Sequence, residues 1–399
     1  MAASIAFAPG LAAPPAATAA RATARPAPVA DAASRRGARE HHSLKYQALI
    51  AFSIRVASAG LAYLSQIFFA RVLGVDGYGV FSVAWTLVLV LGHVAPLGVT
   101  ESAVRFLPRY HLRGQNDAAR GFIAMGNEMA LIGGALFAIA GALALLVFPV
   151  GDVCWPMLGM LACIMPFAYQ HWLEGVARGL DRPGLALACP YLLRPVLMGL
   201  VLAAAAYLGH ASAGSAMLAA LLATLATASI QGFLVHGAAR SALGEGAARG
   251  SARVWLAASA PLAGGTACDQ ASAYADVLAL GLLCTPAEAA IYIAASKTLA
   301  LASFAQYALA IVAGRRFAAA KADGGPKALA ALAVASTRLT IIASLAAIIV
   351  LLTAGPKLLS LFGCEFADAY PALAMLCVGV VARALAGQRE AILTVLGFQ

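Results

Sequence analysis

Eight ionisable side chains lie inside stretches of this sequence that are otherwise apolar: Arg55, Glu128, Arg194, Asp269, Asp276, Lys297, Arg338 and Arg383. A charge in such surroundings is costly, so each is a functional suspect. Arg55, Arg194, Lys297 and Arg383 are candidates to line a cationic cavity, in which Arg grips an anion through two parallel N–H groups and Lys acts as a point charge. The plainer alternative is that some of them, Arg338 and Arg383 first, snorkel to an interface or pair structurally. Asp269 and Asp276 stand seven residues apart, two helical turns, so they share a helix face with Tyr274 close by. A carboxylate there can bind a proton or Na⁺; a structural ion pair with Lys297 is the competing reading. His93 stands alone in an apolar stretch, where a packing hydrogen bond is the commoner role. The seven cysteines form no C-x-x-C pair and most sit among apolar residues, so they read as small packing residues; no metal and no cofactor is indicated.

The elements that must hold these groups follow from composition. The 399 residues are 62% hydrophobic and 11% charged, far below the roughly 25% charge of a water-soluble domain. Most of the chain therefore reads as lipid-solvated helix. Ten stretches are long enough to span a bilayer, at roughly 46–70, 80–104, 122–148, 154–176, 184–208, 214–237, 254–282, 288–312, 329–353 and 371–396. The net charge of +10 is dispersed rather than gathered with aromatics on one face, which argues against nucleic acid as a partner.

Lysines and arginines alternate strictly between the connections. Nineteen fall in the leading segment and the even-numbered loops, among them Arg105, Arg109, Arg178, Arg182, Arg240 and Lys327; only Arg71 and Lys357 fall in the odd-numbered ones. That asymmetry sets a cytoplasmic N-terminus. It also places two i, i+4 pairs, Glu101 with Arg105 and Glu174 with Arg178, at cytoplasmic helix ends, where they are candidates for a gate on that side. Residues 1–44, rich in Ala, Pro and Arg, lack the large apolar residues needed to fold and read as a disordered cytoplasmic tail.

The chain also repeats weakly. "GVFSVA" (79–84) corresponds to "AIYIAA" (290–295), and "WPMLGML" (155–161) to "YPALAML" (370–376), at offsets of 211 to 215 residues. The expected fold is an all-α polytopic two-lobe bundle of six plus six helices. The first lobe spans 45–240. The second, 241–399, holds four helices, so the chain reads as about ten spans with the last two missing.

Four segments carry a resemblance to a known family. They are "FFARVLGVDGYGVFSVA" (68–84), "GVTESAVRFLPRY" (98–110), "EGVARGLDRPGLA" (174–186) and "LFGCEFADAYPAL" (361–373). The first reads as a helix ending near Arg71, a turn built on Gly74, Gly77 and Gly79, and a second helix from about Val80. Together they resemble the polysaccharide-biosynthesis (O-antigen-type) flippases of the multidrug/oligosaccharidyl-lipid/polysaccharide exporter superfamily. The resemblance implies two six-helix lobes about a central cavity, a monomer, and alternating access that carries a lipid-linked oligosaccharide across the bacterial inner membrane for cell-surface polysaccharide such as lipopolysaccharide. Such a cargo has a pyrophosphate between lipid and sugar, and Arg55, Arg194, Lys297 and Arg383 would bind it, with H⁺ or Na⁺ on Asp269 and Asp276 as coupling ion. Two rivals stand beside this. One is a multidrug-type antiporter of the same superfamily, although five basic against three acidic groups within the spans favour an anionic cargo. The other is a polytopic enzyme of lipid-sugar metabolism, for which the short outer loops offer no catalytic spacing.

Overall fold

The computed structural model describes residues 29–148, 151–302 and 325–386. The chain divides into two units, Met1–Ala48 and Leu49–Gln399. The first holds the opening turns of helix α1, which starts at Val29, immediately after Pro28. The helix thus takes in the end of the segment expected to be tail. Once the prolines stop, its Ala, Arg and Glu residues favour helix. All that follows concerns the second unit.

After α1 (Val29–Val94) come α2 (Val99–Leu112), α3 (Asn116–Val147), α4 (Cys154–Gly179), α5 (Pro183–Ala188), α6 (Arg194–Tyr207) and α7 (Ala213–Leu243). These make the first lobe of a two-lobe helical bundle. The second holds α8 (Ala252–Leu283), α9 (residues 286–302), α10 (Gly325–Ser360) and α11 (Tyr370–Ala386). No strand occurs among the described residues. Among the described residues, six helical stretches are long and apolar enough to cross a membrane: Val56–Val94, Asn116–Val147, Pro183–Tyr207, Ala213–Leu243, Val334–Ser360 and Cys364–Ala382. Helices α4 and α8, 26 and 32 residues long, match them in length but are diluted by Gln170, His171 and Glu174 in one and Asp269, Gln270 and Asp276 in the other.

Two features of the first lobe differ from the sequence reading. The expected glycine turn after Arg71 is a single kink. Only Gly74 leaves helical geometry (φ 69°, ψ 178°), in the left-handed region a Cβ disfavours. The chain doubles back there, so that Tyr78 donates to Gln66 Oε1 at 2.8 Å and the Phe69 and Phe81 rings stand 5.3 Å apart. Gly79 serves a different end: a Cβ there would collide with the Pro286 carbonyl oxygen at the start of α9. The second difference lies in the stretch expected to run unbroken over 80–104. It stops at Val94 and resumes at Val99, with Leu97 at φ 52° and Gly98 at φ 76°. Pro96, which lacks an N–H, begins the interruption.

Helix α4 is the hub of the first lobe and packs against α2, α3 and α7. Phe122, Trp172, Leu173 and Val176 are buried there. The internal repeat is visible in local structure, since a 3₁₀ turn precedes both α4 (Gly151–Val153) and α11 (Cys364–Ala369).

The lobes touch at two levels. At the kink end, Tyr78 packs on Phe362 and Phe366 with centroids 6.4 and 6.0 Å apart. Arg71 there donates to the Leu361 and Ser360 carbonyls at 2.6 and 2.9 Å. At the opposite, basic end, the Ser102 and Ser259 hydroxyls share a 2.7 Å hydrogen bond, and Trp255 Nε1 donates to the Tyr110 hydroxyl at 2.8 Å. The connection 244–251 is strapped to α3, where Arg120 donates to the carbonyls of Leu243 and Ala247 and pairs with Asp117.

Candidate functional site

Between the two levels lies a cavity of about 250 Å³. Both arms of α1, the start of α6, and α8 and α9 wall it. Arg194 is the group it is built around. Proline at position 195 offers no N–H to the carbonyl four residues back and its ring would clash there. The ladder shifts to a π turn over Cys189–Leu193, and the Arg194 N–H bonds Cys189 O instead. π turns are frequent at functional sites because they re-aim one side chain. Arg194 is 9% exposed. Its Nη1 donates to Gln170 Oε1 at 3.0 Å, and its Cζ lies 4.9 Å from the Phe167 ring centroid and 5.4 Å from that of Trp85. One hydrogen bond and two aromatic faces leave the rest of its donor fork for another acceptor.

Lys297 of α9 and Asp276 of α8 face the same cavity. Asp276 accepts from the Tyr292 hydroxyl at 2.6 Å and from the Val277 N–H at 2.8 Å. Ion pairs join Arg120 to Asp117 and Glu101 to His171, while Lys297 and Asp276 share the cavity wall. The 211-residue offset maps Ser65 onto Asp276 and Thr86 onto Lys297, and all four line the cavity. The second lobe thus carries charges where the first carries hydroxyls.

The remaining expected site residues fall elsewhere. Asp269 is exposed and is not part of the cavity wall. The side chains of Arg55 and Arg383 lie outside the described residues. Glu101 does not turn to Arg105, which is exposed; its carboxylate lies 3.7 Å from His171 Nε2 on α4. Arg178 Nε donates to the backbone oxygen of Glu174 at 3.3 Å. The described contact at this end is the Ser102–Ser259 and Tyr110–Trp255 pair, joining residues 157 and 145 positions apart. Sequence reasoning missed Gln170, His171 and Tyr292. The available signal was polar residues at positions 170, 171 and 174 of an otherwise apolar helix.

The sequence family described as polysaccharide biosynthesis protein matches residues 45–313, well over half of the chain. The chain belongs to that family. No curated protein matches it. Among solved structures, an inward-facing multidrug resistance MATE family transporter of the MOP superfamily is similar at TM-score 0.67 and 13% identity, over 88% of this chain and 85% of that one. An outward-facing MATE transporter is similar at 0.61 and 16%, over 88% and 81%. A MOP superfamily transporter from Pyrococcus furiosus, described as having a binding pocket of reversed polarity, is similar at 0.59 and 15%, again over 88% and 81%. At these identities the likeness is one of fold, and it makes the two-lobe architecture of this family member plain.

Proposed function

We propose that this family member is a multi-pass membrane transporter that flips a lipid-linked oligosaccharide by alternating access, holding the diphosphate of its cargo between Arg194 and Lys297. The observation that carries this reading is Arg194 itself: a guanidinium set by a π turn, backed by two aromatic rings, and facing a cavity shared with a lysine. A buried cation without a full complement of acceptors is expensive, and a diphosphate supplies them in the matching fork geometry. The cavity is the size of a headgroup rather than an oligosaccharide, so the sugar must lie in a space that opens as the lobes part. The alternation of basic loops supports a cytoplasmic basic end, where a cytoplasmic precursor would enter before export across a bacterial inner membrane.

Membership in a polysaccharide biosynthesis family supports the cargo class. The aromatic wall of Phe69, Phe81, Trp85 and Tyr274 favours a second reading, a lipophilic drug as cargo, which the MATE-like fold also accommodates. Proteoliposomes separate the two. With a short-chain prenyl-diphosphate saccharide loaded on one leaflet, wild type moves the sugar to the other. Arg194→Gln lowers the rate about 10–100-fold, the span of one charged hydrogen-bonding group, and Arg194→Lys restores part of it. Sugar movement unchanged in Arg194→Gln contradicts the reading.

A further inference from the structure

A second polar cluster lies in the first lobe, clear of the cavity lysine and aspartate. His93 ends the second arm of α1, and His171 lies on α4. Their ring centroids are 4.4 Å apart. His171 is 7% exposed, and neither of its ring nitrogens has a hydrogen-bond partner. Its Nε2 is 3.7 Å from the Glu101 carboxylate on α2, beyond hydrogen-bond reach but within ion-pair range. His93 Nδ1 is committed to the Leu89 carbonyl at 2.6 Å. A neutral imidazole buried with both nitrogens unmet is poorly placed; a protonated one beside a carboxylate is well placed. The two rings are too close for both to be cationic, so the cluster takes one excess proton.

We propose that His93, His171 and Glu101 form the proton-binding site that drives the transport cycle, and that it acts by moving α2. This rests on the reading of the chain as an alternating-access transporter. The site straddles the break at residues 95–98, with His93 before it and Glu101 after it. The residue after Glu101 is Ser102, whose hydroxyl makes the 2.7 Å contact with Ser259 of α8. Gly98 lies against the Ser259 carbonyl oxygen and the Ala263 amide of that helix. Protonated His171 closes the 3.7 Å gap to Glu101 and pivots α2 on its close backbone contacts with Gly175 and Gly179 of α4, which loosens it from α8. Proton binding thus opens the basic end, and proton release lets it close. The charged groups facing the cluster are Arg194 from α6 and Arg178 from α4. Arg105 is one turn along α2, Glu174 is on α4 beside Arg194, and α8 presents the neutral Ser259. A proton suits this site and Na⁺ does not, since Na⁺ takes oxygen ligands and the site offers one carboxylate and two imidazoles.

The test uses the full chain in nanodiscs without cargo, so it reads the proton site whatever the cargo proves to be. Spin labels at the exposed positions Leu112 and Arg253 report the distance across the basic end. Wild type shows a longer distance at low pH and a shorter one at high pH, with one transition between them. Replacing Na⁺ by choline at fixed pH leaves the distance unchanged. His171→Gln removes the transition, and His93→Gln shifts its midpoint by more than about half a pH unit. Circular dichroism and gel filtration check that each variant folds. If His171→Gln fails to fold, the His93→Gln midpoint decides alone. A transition that persists in folded His171→Gln, or stays put in His93→Gln, overturns the proposal. So does one that moves with Asp276→Asn instead, which assigns coupling to the second lobe, and so does a distance that follows Na⁺ and not pH.

Discussion

The two levels at which the lobes meet are made of different materials. The kink end is aromatic: Tyr78, with no exposed surface, lies against Phe362 and Phe366, and Tyr63 meets Phe362 edge-on at 5.6 Å. The basic end has one such pair across the lobes, Phe122 and Trp255 at 5.6 Å, and is otherwise polar, joined by Ser102–Ser259 and Tyr110–Trp255 hydrogen bonds and by the bare backbone of Gly98. Interlocked rings lose their contacts all at once when they separate. Hydroxyls that part in the presence of water exchange one partner for another at about 1 kcal/mol each. The contrast teaches which end opens at low cost. It is the basic end, which also adjoins the His93–His171–Glu101 cluster and is therefore the end a proton can control.

The largest effect expected from breaking this contrast is at the kink end. Phe362→Ala removes a fully buried ring at the meeting point of Tyr63, Tyr78 and Phe366. It should cost about 3–5 kcal/mol, read as a fall in the thermal unfolding midpoint of the purified protein. Gly98→Ala comes next. Its φ of 76° penalises a Cβ by about 1–2 kcal/mol, and that Cβ meets the Ser259 carbonyl. A disulfide engineered between positions 102 and 259 should form several-fold more slowly in this variant. Ser102→Ala takes away one hydrogen bond, about 1 kcal/mol, and should shift the open fraction of the basic end about fivefold. Arg71→Lys has the smallest effect, about 0.5 kcal/mol, because Arg71 is exposed and its acceptors are carbonyls. If Ser102→Ala proves as damaging as Phe362→Ala, the contrast between the ends is wrong.

How much of this was legible depends on whether a residue announces itself locally. Arg194, Lys297 and Asp276 are charges in apolar helices, and the cavity gathers all three. Their expected companion Asp269 is not among its wall residues, because two helical turns carry it about 10 Å along the axis of α8, past Ala273 where the wall ends. Gln170 and His171 carry no permanent charge and do not stand out in the sequence, although one holds Arg194 and the other faces Glu101. The contacts at the basic end join residues about 150 positions apart, and no periodicity in either helix encodes which hydroxyl or indole meets which. The glycines of 74–79 were read as one flexible turn. The structure divides them: Gly74 makes the kink, and Gly79 admits the α9 backbone. The internal repeat is readable in two short matches, and its consequence, charges in the second lobe at positions where the first has hydroxyls, emerges only when the cavity wall is known.

The central claim is that Arg194 and Lys297 make this a site for a diphosphate. Isothermal titration of the detergent-purified full chain with a short-chain prenyl diphosphate, the matching prenyl alcohol and a lipophilic drug cation tests it most directly. The account predicts that the diphosphate binds, that the alcohol and the cation bind far more weakly, and that Arg194→Gln weakens diphosphate binding about 10–100-fold with a smaller loss in Lys297→Gln. Equal binding of the alcohol, or tighter binding of the cation that Arg194→Gln improves, would contradict it and assign the cavity to a drug.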